Sequence, residues 1–199
     1  SASGAGEPNS RQATPPAVST DSTTTQAETP SVAGWQAVPV PRRGAVYDAP
    51  SSWTKERPDN VIAFGPPDNT VTMTGVTVYK KGFCAEKPNS YRAIAGATAR
   101  EGSDDSAVAT TTLEALTKAA FPTGAVERDP PKQVELDQGS AQGVRLTATV
   151  TNPEPGPCDA PQSVVSVLAR NNDGQRSVVH LAIAEQGVPE AFPPNALTT

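Results

Sequence analysis

The chain has 199 residues, of which 36% are hydrophobic and 5% aromatic, with 21 prolines; this falls short of the roughly 45–50% apolar share of an ordinary globular domain, so part of the chain is expected to lie outside any core. Its formal net charge is −5, and the positive charges are scattered apart from the pairs Arg42-Arg43 and Lys80-Lys81, which excludes the basic stripe of a nucleic-acid binder and disfavours an anionic lipid surface. No run of about 18 apolar residues occurs, so no segment is expected to span a bilayer as a helix.

Residues 1–33 are almost wholly Ser, Thr, Ala, Pro, Gly and Gln, with Val18 and Val32 the only branched aliphatics. Such a segment cannot bury enough apolar surface to offset the entropy of ordering, and it is expected to be a disordered linker. Its hydroxyls beside proline have the composition of an extracellular stalk and are candidate O-glycosylation acceptors. Because the chain begins at Ser1 inside low-complexity sequence, without an initiating Met, it is expected to follow an upstream signal or membrane anchor.

A single globular domain is expected over residues 34–199, beginning where Trp35, Val38 and Val40 bring the first large apolar side chains. Pro39 and Pro41 confine that opening to an edge or an extended lead-in. Gly44 to Pro50 reads as a short strand, and Pro50 to Trp53 as a turn that places Trp53 for burial. Another strand is expected at Asn60 to Phe64. From Val71 to Tyr79 the apolar positions change parity between Met73 and Val76, which a bulge at Gly75 would restore to one face; the alternative is a strand buried on both faces, which suits Gly75 less well. Ser103-Asp104-Asp105 marks the start of the principal helix, with Val108, Thr112, Leu113, Leu116, Ala119 and Ala120 forming its apolar stripe and Phe121 to Gly124 its stop. In the last third, Val144, Leu146, Ala148 and Val150 alternate with polar residues, as in a strand covered on one side only. Val164 to Ala169 is nearly continuous apolar, and the Asp173-Gly174 signal turns it back into Ser177 to Ala184 as a hairpin partner. Together these predict an α+β domain: an antiparallel β-sheet with one principal helix and smaller helices packed on it.

The two cysteines, Cys84 and Cys158, lie in turn regions far apart in sequence and in no Cys-x-x-Cys spacing, which argues against a redox motif or a zinc ribbon. Two buried free thiols are one reading; the turn context favours a disulfide, and with it an oxidising compartment.

Motifs that suggest catalysis do not hold together. Ser52-Trp53-Thr54-Lys55 matches a Ser-x-x-Lys pattern, but it follows Pro50 in a turn and lacks its Ser-Asp-Asn and Lys-Thr-Gly companions. Gly139 to Gly143 places its serine at the wrong offset for a nucleophile elbow. His180, the single histidine, shares a strand face with Val178 and Ala182 and reads as a packed or surface residue rather than a base. Asp104 and Asp105 are explained as a helix start, Glu135 and Asp137 as a strand end, and Asn171 to Gly174 as a hairpin turn without the downstream Glu of a calcium loop. No catalytic residue, cofactor site or metal site is expected. Trp35, Tyr47 and Trp53 are the one aromatic concentration; they read either as core anchors or, flanked by Arg42 and Arg43, as a binding surface.

The run from Trp35-Gln36 through Gly44 to Trp53, followed by Gly82-Phe83-Cys84, resembles an uncharacterised actinobacterial extracytoplasmic domain that follows a membrane anchor and a Pro/Ser/Thr linker. Its Tyr-Asp-x-Pro-x-x-Trp element, as in Tyr47 to Trp53 here, also resembles the opening of PsbP-like and Lpq-type lipoprotein domains. The resemblance implies an envelope location and pairing of Cys84 with Cys158, and it carries no catalytic residues. Three functional expectations follow, in order: a non-enzymatic module that binds an envelope protein, glycan or small ligand; a cell-wall hydrolase using carboxylates that the sequence does not pair; and a structural spacer.

Overall fold

The computed structural model describes residues 29–171 and 173–198. The expected linker, residues 1–33, therefore lies mostly outside the described residues. Within its last part, the backbone N–H groups of Ser31 and Val32 donate to Asp48 at 2.7 and 3.1 Å.

The elements run β1 (Trp35–Val40), β2 (Ala45–Pro50), β3 (Thr54–Lys55), β4 (Ile62–Phe64), β5 (Val71–Tyr79), β6 (Ala93–Glu101), α1 (Asp105–Ala120), β7 (Ala125–Arg128), β8 (Lys132–Leu136), β9 (Ala141–Thr151), β10 (Gln162–Asn171) and β11 (Arg176–Gln186). Nine strands form one antiparallel sheet in the order β3-β5-β6-β11-β10-β9-β7, with β4 beside β5 and β8 beside β9, while β1 and β2 make a separate hairpin. The class is α+β. Beside α1, the helical segments among the described residues are short 3-10 turns, not the smaller packed helices expected from sequence.

The helix forms where its cap begins: the Asp104 side chain accepts the Ala107 N–H at 2.9 Å, and Asp105 and Lys118 sit at the dipole ends that favour their charges. Three threonines, a type with low helix propensity, turn their hydroxyls onto their own helix, Thr110 to Ser106 O, Thr111 to Ala107 O and Thr117 to Leu113 O. Packing on the sheet holds the helix in place. Val108, Leu113 and Leu116 bury against Leu146 and Val150 of β9, Val165 and Val167 of β10, and Val179 and Leu181 of β11.

In β5, Thr74 pairs with Ala97 but Thr77 pairs with Ala95, a register shift at Gly75, whose φ is +59°. The bulge puts Val71, Met73, Val76 and Val78 into this one core. A Cβ at Gly75 would stand 2.6 Å from Val40 Cγ2, so this glycine also admits the hairpin.

The opposite face of the sheet is built from small residues, Ala93 and Ala95 of β6 with Ala182 and Ala184 of β11, and Trp53 lies over them, 4% exposed. The Trp53 ring stacks on Tyr79 at 6.1 Å and meets the edge of Phe192 at 4.9 Å. Short side chains let the aromatic layer and the β1–β2 hairpin come down onto the strands. Cys84 and Cys158 form a disulfide with Cα atoms 6.0 Å apart, joining the β5–β6 connection to the β9–β10 connection.

Candidate functional site

Away from α1, a row of cross-strand neighbours crosses the sheet: Ala97 of β6 faces His180 of β11, His180 faces Leu168 of β10, Leu168 faces Arg145 of β9, and Arg145 faces Lys132 of β8. The row forms part of the floor of a cleft of about 700 Å³, walled by β2, by β8 with the turn after it, and by the C-terminal 3-10 turn Pro194–Thr198. That volume is within the range of sites for small ligands or short peptide segments.

Two nitrogen donors or acceptors on this floor lack partners. The Arg145 guanidinium donates from Nη1 to the Thr198 carbonyl at 2.9 Å, but its Nε is sealed from solvent and bonded to nothing. No acidic group forms an ion pair with Arg145 among the described residues. Burial pulls its pKa below the usual guanidinium value. His180 keeps part of its ring surface accessible, yet its Nε2 is sealed and unpartnered. Burial first, and the positive charge of Arg145 second, push its pKa down to about 4. At neutral pH the floor therefore carries one cation beside a neutral imidazole. A buried polar group left without a partner costs about 1–3 kcal/mol, more if charged.

Of the three carboxylates that line the cleft, Asp48 and Asp137 are engaged, and Glu135 has no partner among the described residues. Asp137 holds Arg170 at 2.7 Å, and Asp48 accepts the two N–H groups of Ser31 and Val32. The turn after β8 is strained: Asp137 and Gln138, neither of them glycine, have φ of +50° and +57°. Such conformations cost about 1–3 kcal/mol each and cluster where a fold positions a site.

A smaller hollow of about 180 Å³ lies beside the disulfide. The charged groups around it pair with one another: Arg92 bridges Glu185 at 2.6 Å and lies 3.6 Å over the Phe83 ring, and Lys87 bridges Asp159 at 3.1 Å. Burial raises the Glu185 pKa while Arg92 opposes that rise.

The residues expected as a binding surface separate into two places. Trp35 and Tyr47 line the cleft. Arg42 and Arg43 form the 3-10 turn at the hairpin tip, Arg42 exposed and Arg43 half-buried with an unpartnered Nε. Trp53 is instead buried under Phe192. Ser52 and Lys55 lie on a turn and on β3, with no helix to bring them together. Sequence reasoning missed Arg145, which alternation assigned to a solvent face. A usable signal was the neighbouring strand: Leu168, two residues beyond Ser166 on the same face of β10, implies that this face is covered. No group of three or more His, Cys, Asp or Glu set to hold a metal occurs among the described residues, and no helix there is long and apolar enough to cross a membrane.

The sequence from residue 28 to 199 matches the profile of a domain of unknown function, DUF8017. The chain belongs to this family. The match takes in every strand of the DUF8017 domain described above, the disulfide and the whole cleft. No curated protein matches the sequence.

Proposed function

We propose that this domain is a non-enzymatic binding module of the cell envelope, outside the cytoplasm, and that its ligand site is the cleft between the β1–β2 hairpin and the large sheet. The observation that carries the reading is a cleft of about 700 Å³ lined by the Arg145 guanidinium, which has no ion-pair partner among the described residues, and by the neutral His180 ring. A spacer has no use for such groups, since an apolar floor would be more stable. Acid–base hydrolysis is disfavoured by the same geometry: an imidazole with a pKa near 4 is a weak base, and because Asp48 and Asp137 are bound to backbone N–H groups and to Arg170, Glu135 has no free second carboxylate among the described residues of the cleft to work with. The disulfide supports an oxidising compartment. The Tyr47 to Trp53 resemblance supports an actinobacterial origin and a PsbP-like ancestry for the fold.

The test is an amide and side-chain NMR titration of the full chain with peptides, glycan fragments and small acids drawn from envelope material. Shifts at Tyr47, Arg145 and His180 with at least one of these are expected. If every probe leaves those resonances unmoved, the spacer reading stands instead.

A further inference from the structure

The identity of the ligand follows from the hairpin edge, given that the cleft is the binding site. In the register of β1 and β2, Pro39 stands opposite Val46, Trp35 opposite Pro50, and Ala37 opposite Asp48. Neither proline has an N–H, and the Trp35 N–H is taken by the Val32 carbonyl at 3.1 Å. The bonds between the strands therefore run through the alternate pairs, Gln36 with Ala49, Val38 with Tyr47 and Val40 with Ala45. Consequently Val46 and Asp48 turn their N–H and C=O groups away from β1. On that side β2 has no strand neighbour among the described residues.

That free edge faces the cleft. Residues 44–48 all line it in succession, as do residues 134–138 on the opposite wall. A strand that showed the cleft one face would contribute every second residue, so a continuous run means an edge. The strand part of this run, residues 45–48, extends for about 13 Å, at roughly 3.3 Å per residue, the length of a four-residue extended segment. Beneath it lies Arg145, whose Nη2 has no partner among the described residues. Asp48 and Glu135 on the two walls would repel a run of acids, and neutral His180 adds no second cation. The charge pattern fits one carboxylate over Arg145.

We infer that the cleft takes an extended peptide, added as a third strand along the free edge of β2, with a single acidic side chain of that peptide on Arg145 and uncharged or basic residues on either side. The peptide's N–H and C=O groups bond the C=O and N–H groups of Val46 and Asp48, which supply affinity, and the carboxylate on Arg145 selects the sequence.

The experiment uses the full chain and two pools of labelled seven-residue peptides, with Glu or Gln fixed at the centre and uncharged residues elsewhere, read by fluorescence polarisation. The Glu pool is expected to bind about tenfold tighter than the Gln pool, the worth of one charge-assisted bond. Methylating alternate peptide nitrogens of the Glu pool abolishes binding without any change to the protein. Arg145→Met brings the two pools to equal affinity. Val46→Pro removes one outward N–H and leaves the bonds to β1 intact, as Pro39 already does on the other strand; both pools then weaken about tenfold or more. Equal binding of the Glu and Gln pools, or full affinity of the methylated pool, overturns the inference. If acetate or glutarate shifts the His180 and Tyr47 resonances while no peptide binds, the site takes small acids; the peptide is then wrong and the binding-module reading survives. Silence from every probe overturns both.

Discussion

Tyr47 of the hairpin and His180 of the large sheet meet ring to ring, with centroids 4.6 Å apart and planes inclined by 54°. The contact sits where the aromatic layer over the small-residue face ends and the cleft begins. Below it the Tyr47 hydroxyl lies 2.6 Å from the Gly75 carbonyl, 2.9 Å from Thr77 Oγ1 and 3.2 Å from the Ala95 carbonyl. With one proton to give, the phenol donates to a carbonyl and accepts from Thr77. Its burial raises the pKa above the usual phenol value, so it stays protonated and keeps donating.

Tyr47→Phe removes those bonds and leaves the carbonyls and Thr77 short of a partner, while the ring contact with His180 remains. The expected loss is about 1–3 kcal/mol of unfolding free energy. Amide exchange is expected to rise first in the β1–β2 hairpin. Urea denaturation with residue-resolved exchange checks both; an unchanged hairpin would mean that Tyr47 is not its latch.

His180 links stability to pH. Its pKa is lowered from 6.5 to about 4 in the folded protein, so between those values the unfolded chain binds the proton more readily. The stabilisation is complete above about pH 6.5 and is lost as pH falls towards 4, up to about 3 kcal/mol. Since the chain has one histidine, its ring resonances report this group alone. They should titrate near pH 4, and His180→Gln should flatten the stability profile between pH 6.5 and 4.

The disulfide closes a loop with a sequence separation of 74. On the chain-entropy estimate, opening it costs about 4.5 kcal/mol, an upper figure because the unfolded chain retains some structure. Reduction should lower the urea midpoint accordingly and loosen the hollow lined by Phe83, Lys87 and Asp159. Thermal unfolding with and without reductant, with Cys84→Ala/Cys158→Ala as the control, measures the loss.

Where the sequence was legible, a local pattern matched a local cause. The Asp104 cap, the parity change around Gly75, the alternation from Val144 to Val150 and the Asp173-Gly174 turn each marked their element correctly. Strand β6 went unread because its residues Ala93, Ala95, Gly96 and Ala97 are small, chosen for close approach from the opposite face, and small side chains carry little periodic signal. The cleft was illegible for a related reason. Arg145 sits in a clean alternating strand, and what covers it, the hairpin at Tyr47 and the turn at Thr198, comes from the far ends of the domain. Nor did composition separate Trp35, at the cleft, from Trp53, in the packed layer.

Gly75 tests whether the bulge and the hairpin seat are one device. Alanine there must hold φ near +59° and place its Cβ 2.6 Å from Val40 Cγ2. Strain and overpacking together are expected to cost about 2–4 kcal/mol. Gly44→Ala has the same backbone strain at φ +60°, with nothing within 4 Å of its Cβ, so it should cost only the smaller, conformational part. Equal losses at the two positions would show that Val40 yields freely and that the close approach is not required.

Arg145 separates a site from a structural residue by the sign of its effect on stability. Were the guanidinium part of the scaffold, removing it would weaken the fold. Its Nε is instead unpartnered and its charge desolvated, and the single bond to the Thr198 carbonyl at 2.9 Å returns little of that penalty. Arg145→Met keeps the aliphatic stem over Leu168 and removes the buried charge, so stability should be unchanged or higher by about 1 kcal/mol. Arg170→Met serves as the contrast: it frees Asp137 from its 2.7 Å partner at an exposed position and should cost about 0–1 kcal/mol. A loss of about 2 kcal/mol or more in Arg145→Met, measured by urea denaturation without ligand, would assign Arg145 to the scaffold and take the central cation out of the binding site.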